Sequence, residues 1–303
     1  MKNAQAVFLN GEIHVGGGYT GIANTDPVVF TYDPNFDLWG SLPASPMKWF
    51  GLAVFGEQLV VVGGKEVESR EFSTNKLAVW DKDTSSWTFP FPSMLAARTS
   101  PTVFSYKSYL LAAGGKRGVL DYNIEILDGA TMQWFQGPPL PLPSFLFTSL
   151  VHNDKLYLLG ERERAILSVD IETLIKHAKE YVDQPSLGEE WIWQRIPNLP
   201  SKAFRITSVG DRIITFVHSS TNAHQIDVFV YSPTASQAWA KITLQLSTFC
   251  SNSTSIVTPR GRLYLIGGDS ADFQYSNKIY RVSVQESPTL KTKQLRVMRT
   301  VIF

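Results

Sequence analysis

The sequence predicts an all-β protein built as a ring of six four-stranded sheets. Three observations carry this. An apolar segment ending at a glycine pair, or at its positional equivalent, recurs six times along the 303 residues. After each comes a polar loop and a strand of alternating pattern. A short turn then leads to a further strand, which opens with tryptophan in five of the six units.

The units follow in order. "EIHVGG" ends at Gly17, "LVVVGG" at Gly64, "LLAAGG" at Gly115, "YLLGE" at Glu161, "ITFVH" at His218 and "YLIGG" at Gly268. Subtraction gives spacings of 47, 51, 46, 57 and 50 residues. Self-similarity at this period marks a repeat architecture. Upstream of each glycine pair lies an apolar segment and a turn, as in "GLAVFGEQ" and "ITSVGDR". These read as an innermost strand and a hairpin. Downstream come the alternating third strands "VVFTYDP", "KLAVWDK", "NIEILDG", "AILSVDI", "IDVFVYSP" and "NKIYRVSV". Trp39, Trp87, Trp134, Trp193 and Trp239 open the fourth strands. A lone four-stranded sheet buries too little to stand, so such sheets stack round an axis as blades. Inner strands, covered on both faces, are then continuously apolar. The blades run over roughly 1–43, 44–92, 93–140, 141–198, 199–245 and 246–303, and fill one domain. The glycines let the chain leave the sheet and allow a close approach. The later tryptophan is expected to pack near that ledge. The aspartate ending the third strand suits a turn in which it accepts local N–H groups.

Composition fits a sheet protein. The chain is 44% hydrophobic and 18% charged, with 28 Lys plus Arg against 27 Asp plus Glu. That balance supplies no field for nucleic acid or an anionic membrane. Cys250 is the single cysteine, so no disulfide forms within the chain. The start "MKNAQAVFLNGEIHV" lacks the apolar core of a signal peptide, and a cytoplasmic monomer is expected.

The glycine pairs, Tyr32-Asp33-Pro34 and the spaced tryptophans resemble kelch repeats, of about 50 residues each, over essentially the whole chain. The resemblance implies a six-bladed kelch-type β-propeller with four antiparallel strands per blade. Departures fall late: Gly160-Glu161 and Val217-His218 replace glycine pairs, Ser232 replaces the aspartate, and unit six lacks the tryptophan.

Two segments need separate treatment. In "IETLIKHAKEYVDQPSLGEEW", Ile171, Leu174, Ile175, Ala178 and Val182 recur at helical spacing. A short helix inserted in blade four is predicted, ended by Pro185, and either packs on the propeller or docks a partner. The end "LKTKQLRVMRTVIF" is expected to supply the last strand of blade six through Met298. Its "TVIF" would then pair with or cap blade one beside "AQAVFL".

Chemistry-bearing patterns are sparse. "GGGYTG" follows a strand but precedes no helix, so it is read as a blade loop rather than a phosphate loop. His14, His152, His177, His218 and His224 lie in different units without metal spacing. No cofactor and no catalytic set is predicted.

In a propeller the loops after the second strands and the links before the first strands emerge on one face, the mouth. The candidate binding residues lie there. The basic candidates are Lys65, Arg98, Lys116, Arg117, Arg162 and Arg205. The aromatic candidates are Tyr19, Trp49, Phe50, Phe145 and Phe204, with His218 and Asp269 beside them. Arg and Trp are enriched in binding hot spots.

The kelch resemblance implies that such a mouth grips protein or peptide motifs, with link arginines clasping acidic side chains. Arg98 in "AARTSP" matches such an arginine; Trp49 stands at the comparable place in blade two, and Arg205 approximately so in blade five. The expected function is a non-catalytic interaction module, and the resemblance extends this to the recognition part of a ubiquitin ligase where the domain belongs to a longer protein or recruits a ligase. The alternatives implied by the same resemblance are an enzyme acting on a sugar such as sialic acid, a copper oxidase, and a cytoskeletal scaffold.

Overall fold

The computed structural model describes residues 3–18, 27–117, 119–120, 123–140, 147–160, 166–183, 192–199, 202–219, 226–233, 236–245, 253–268, 278–286 and 293–302. Six four-stranded antiparallel units stand round one channel. The first strand of each is innermost: Gln5–Leu9, Gly51–Phe55, Thr102–Tyr106, Phe147–His152, Ala203–Val209 and Thr254–Val257. The fold is the predicted six-bladed propeller.

Both faces of each blade are buried against its neighbours. A separate hydrophobic cluster fills each of the six interfaces. Leu59, Val61 and Ala78 of blade two meet Val29, Val7 and Leu9 of blade one. Leu110, Ala112 and Leu127 of blade three meet Val60, Val62 and Val79 of blade two. Alternate residues of one strand thus serve different interfaces, which is why these strands are apolar throughout.

The aspartate turns form as expected. Asp33 Oδ1 accepts the N–H groups of Asn35 (2.7 Å) and Phe36 (3.3 Å). Asp81 Oδ1 accepts that of Asp83 (2.9 Å), and Asp128 Oδ1 that of Ala130 (2.9 Å).

The tryptophans correct the expectation that they pack on the glycine ledge. Three of the five lie instead on an aromatic residue of the third strand: Trp87 on Trp80 (5.4 Å between centroids), Trp39 on Tyr32 (4.9 Å) and Trp239 on Tyr231 (5.2 Å). Three of the indole N–H groups reach back to the preceding blade. Trp87 donates to the Pro43 carbonyl (3.0 Å), Trp134 to Pro92 (2.9 Å) and Trp239 to Pro197 (2.7 Å). The glycines face the inter-blade links. A Cβ on Gly17 (φ +78) would lie 2.1 Å from the Phe50 carbonyl oxygen, and one on Gly64 (φ +97) 2.3 Å from that of Lys48. No side chain fits such a spacing.

The insertion in blade four is helical over Ile171–Asp183, ending two residues before Pro185. Asp170 caps it by accepting the Thr173 N–H (2.8 Å). Ile171, Leu174, Ile175 and Ala178 are buried with Ile126, Leu158 and Val169 between blades three and four. On the helix flank, Lys179 donates to Asp128 (3.0 Å) and to the Tyr109 hydroxyl (3.0 Å), and Lys107 pairs with Glu172. Of the two expectations for this helix, packing on the propeller is the one observed.

Ring closure also differs from expectation. Residues Thr300–Ile302 pair with Lys278–Tyr280 inside blade six, not with blade one. Blade one is built wholly from the N-terminal segment and blade six wholly from the C-terminal one. Among the described residues no strand crosses the seam, which is closed by Ile13, Val15 and Tyr32 packed on Tyr264, Ile266 and Ile279. The last strand of blade six additionally pairs in parallel with blade five, Leu244 opposite Leu295 and Gln245 opposite Arg296.

Candidate functional site: the loop face and the channel beneath it

Blade two shapes the loop face. After its glycine pair, Lys65–Glu66 pairs with Met47–Lys48 in a short ladder that raises the loop above the sheet. Glu66 then holds the loop together, accepting from the Thr74 hydroxyl and from Lys76 Nζ, both at 2.9 Å. These bonds and the Lys76 charge keep the Glu66 carboxyl below its usual range. The loop's apolar residues consequently face water: Phe72 is 82% exposed and Val67 43%, with Lys65 Nζ 5.5 Å above the Phe72 ring. Trp49, at the other end of the ladder, is 39% exposed and has φ +53. A bulky residue in the left-handed region is strained. The Ser100 N–H, donating to the Trp49 carbonyl at 2.6 Å, fixes it there. Leu95, in the link to blade three, is also exposed.

Two candidate residues are core. Phe50 is buried, with its ring against Gly16 and Val29. Arg98 is 0% exposed. It pairs with the equally buried Glu125 on the third strand of blade three, and donates to the carbonyls of Gly114 (2.9 Å) and Asn123 (3.2 Å). Glu125 also accepts the Leu95 N–H at 2.6 Å. This cluster pins the link between blades two and three. The expectation that Arg98 clasps a partner's acidic side chain is therefore corrected: a carboxylate of the chain already occupies it.

Arg205 lies lower, in the channel. Its Nε donates to the Ser253 carbonyl (2.9 Å), Nη1 to the Thr148 hydroxyl (3.1 Å) and Nη2 to the Ala4 carbonyl (3.4 Å). Phe204 is half-buried and lies 6.3 Å from the Phe216 ring. Lys116 is exposed beside Thr99, with which it exchanges backbone hydrogen bonds. Arg117 pairs with Val119 in a two-residue ladder, and His218 with Ile226 at the end of its strand. Tyr19, Phe145, Arg162 and Asp269 lie outside the described residues, as do His224 and Cys250.

Gln5, which gave no sequence signal beyond its place in an inner strand, occupies the same end of the channel. Its Nε2 donates to the Pro101 carbonyl and its Oε1 accepts the Leu52 N–H, both at 2.9 Å. Val67, Phe72 and Leu95 also escaped sequence reasoning, since an apolar loop residue looks the same whether it turns in or out. Among the described residues no three His, Cys, Asp or Glu side chains gather as metal ligands, and no helix is long and apolar enough to cross a membrane.

The comparisons with known proteins agree with this geometry. The chain is 22% identical over 239 residues to the kelch repeat-containing protein At3g27220 of Arabidopsis thaliana, covering 73% of this chain. It is 23% identical over 171 residues to beta-scruin of Limulus polyphemus, covering 51% of this chain. The solved structure of YjhT superposes with a TM-score of 0.70 at 14% identity, covering 97% of this chain and 96% of that one.

The chain is a six-bladed propeller, and its sequence is similar to kelch repeat proteins.

No family model matches it. The chain spans 56% of the length of the Arabidopsis relative and 18% of beta-scruin, and the likeness to YjhT concerns the fold alone.

Proposed function

We propose that this kelch-type propeller is a non-catalytic module that binds a protein or peptide partner on its loop face, through the blade-two sector. The supporting observation is the exposure of Trp49, Val67, Phe72 and Leu95 in the loop and links of that sector. A cluster of large apolar side chains facing water is the usual mark of an interaction surface. Holding Trp49 at a positive φ is a cost without a folding benefit of its own, which suits a residue kept for recognition. The partner chemistry that fits is a segment presenting apolar side chains, with an acidic group placed to meet Lys65. A cytoplasmic setting belongs to the proposal, and so does use as a substrate-recognition adaptor where the chain is joined to, or recruits, a ubiquitin ligase.

The test is a proteome-peptide display selection on the full chain, repeated with Trp49→Ala and Phe72→Ser. A shared apolar motif whose binding falls about tenfold or more in each variant is expected, as for hot-spot residues. A motif bound equally by the variants, or none at all, would overturn the blade-two assignment.

A further inference from the structure

Blade four departs from its neighbours where it faces blade five. Two residues before the end of the third strand, blades two, three and five carry Val79, Ile126 and Val230, each opposite an aliphatic residue of the second strand: Val60, Leu111 and Ile214. Those pairs fill the interface with the following blade. In blade four the same two places hold Ser168 and Tyr157. The fourth strand is also cut to two residues, Gln194–Arg195, against four, three and four in blades one to three. The cause is the inserted helix, which the chain enters directly from the third strand.

The result is an open cleft of about 540 Å³ between blades four and five. It lies on the face opposite the loops, beside the hairpin that leads into Lys155 and the turn at Pro233. Its size is that of a small-molecule site.

Floor and rim differ in chemistry. On the floor, Tyr157, Ser168 and Tyr231 are 4%, 5% and 9% exposed. Among the described residues none of their hydroxyls has a hydrogen-bond partner. Burying a hydroxyl without a partner is unfavourable, and aliphatic residues serve the same place in other blades. Burial first, and the neighbouring Tyr231 second, hold the Tyr157 phenol above its usual range, so it stays protonated and able to donate. On the rim, Lys155 and Arg195 are exposed and make no ion pair among the described residues. No described carboxylate lines the cleft. Asp170, opposite Lys155 in register, is turned to the helix cap instead.

We propose that this cleft binds a small polyol phosphate, its hydroxyl-bearing body on Tyr157, Ser168 and Tyr231 and its phosphate on Lys155 and Arg195. The orientation follows from desolvation. The phosphate, almost doubly charged at neutral pH, stays at the hydrated rim, where two cations meet it. The neutral hydroxyls go to the floor and supply the partners that the buried hydroxyls lack. Gln194, paired with Ser168 across the strands, adds an amide beside them. The site uses no residue of the blade-two docking surface and lies on the other face.

The experiment is isothermal titration of the full chain with glucose 6-phosphate at low ionic strength, beside glucose, inorganic phosphate and a phosphoserine peptide. Saturable one-to-one binding of glucose 6-phosphate is expected, at least about tenfold tighter than that of glucose or of inorganic phosphate. Tyr157→Phe should weaken it about tenfold, while the melting temperature holds or rises because the lost hydroxyl had no protein partner. Lys155→Gln combined with Arg195→Gln, both at exposed positions, should reduce it to the level of glucose. Trp49→Ala should bind glucose 6-phosphate as the wild type does, so failure of the docking reading is seen separately. Absence of glucose 6-phosphate binding, equal affinity for inorganic phosphate, or undiminished binding in Tyr157→Phe would overturn the proposal. So would tighter binding of the phosphoserine peptide, since the cleft would then serve a protein partner.

Discussion

Gln5 of blade one and Arg205 of blade five between them hydrogen-bond to the other four blades, and Arg205 to blade one as well, so that all six are linked. From blade one, Gln5 reaches the Leu52 N–H of blade two and the Pro101 carbonyl of blade three. From blade five, Arg205 reaches Thr148 of blade four, the Ser253 carbonyl of blade six and the Ala4 carbonyl of blade one. A ring whose ends exchange no strand is thereby tied at its axis by two side chains. The bond from Arg205 to Ala4 spans the seam and skips a blade.

Gln5→Ala should weaken this tie. The variant leaves the Leu52 N–H and the Pro101 carbonyl without their partner, and an unmet buried group costs about 1–3 kcal/mol. Guanidinium unfolding should show a lowered midpoint with an unchanged slope. Gln58→Ala, at an exposed strand start, should leave the midpoint where it is.

Arg98 and Glu125 are expected to be interdependent. Removing one partner of a buried ion pair leaves a charge in the core and costs about 3–5 kcal/mol. Arg98→Met alone should therefore destabilise severely. Arg98→Met with Glu125→Leu should recover much of the loss, and a double-mutant cycle on unfolding free energies measures the coupling. Additive losses would show that the pair is not coupled.

His14 makes stability depend on pH. Burial lowers its pKa from 6.5 to about 4, so the folded protein resists a proton that the unfolded chain accepts. The resulting stabilisation is complete above pH 6.5 and is lost as the pH falls from there towards about 4. A shift of this size is worth on the order of 3 kcal/mol. Subtracting the unfolding free energy of His14→Leu from that of the wild type across this range isolates the effect. A flat difference would show that His14 does not carry it.

Trp49→Gly separates recognition from folding. Glycine accepts φ +53 without the clash that a Cβ makes there, a relief of about 1–2 kcal/mol, which offsets its entropy loss on folding of about 0.5–1 kcal/mol. The melting temperature should stay the same or rise while partner binding is lost. A marked fall in melting temperature would show that the indole serves packing instead.

Sequence and structure divide this molecule along a physical line. Blade number, strand order and the inserted helix were legible because they rest on periodicities: apolar runs closed by glycines, Asp turns, tryptophans at fixed offsets, and a 3.6-residue stripe from Ile171 to Ala178. Such patterns depend on near neighbours in the chain and survive without knowledge of the whole. The direction of individual link side chains was not legible. Trp49 and Arg98 hold comparable places before blades two and three, yet one faces water and the other is sealed in. What decides is Glu125, 27 residues beyond Arg98, which gives the arginine an internal partner; Trp49 is instead turned outward by a backbone bond from Ser100. The indoles of Trp87, Trp134 and Trp239 likewise bond to carbonyls over 40 residues away, not to the glycines of their own unit. The repeat by itself determined the ring. Only the closed tertiary structure decided which charges met their partners and which, like Arg205, were left facing a cavity, because burial and pairing are properties of surfaces that exist only once the blades have stacked.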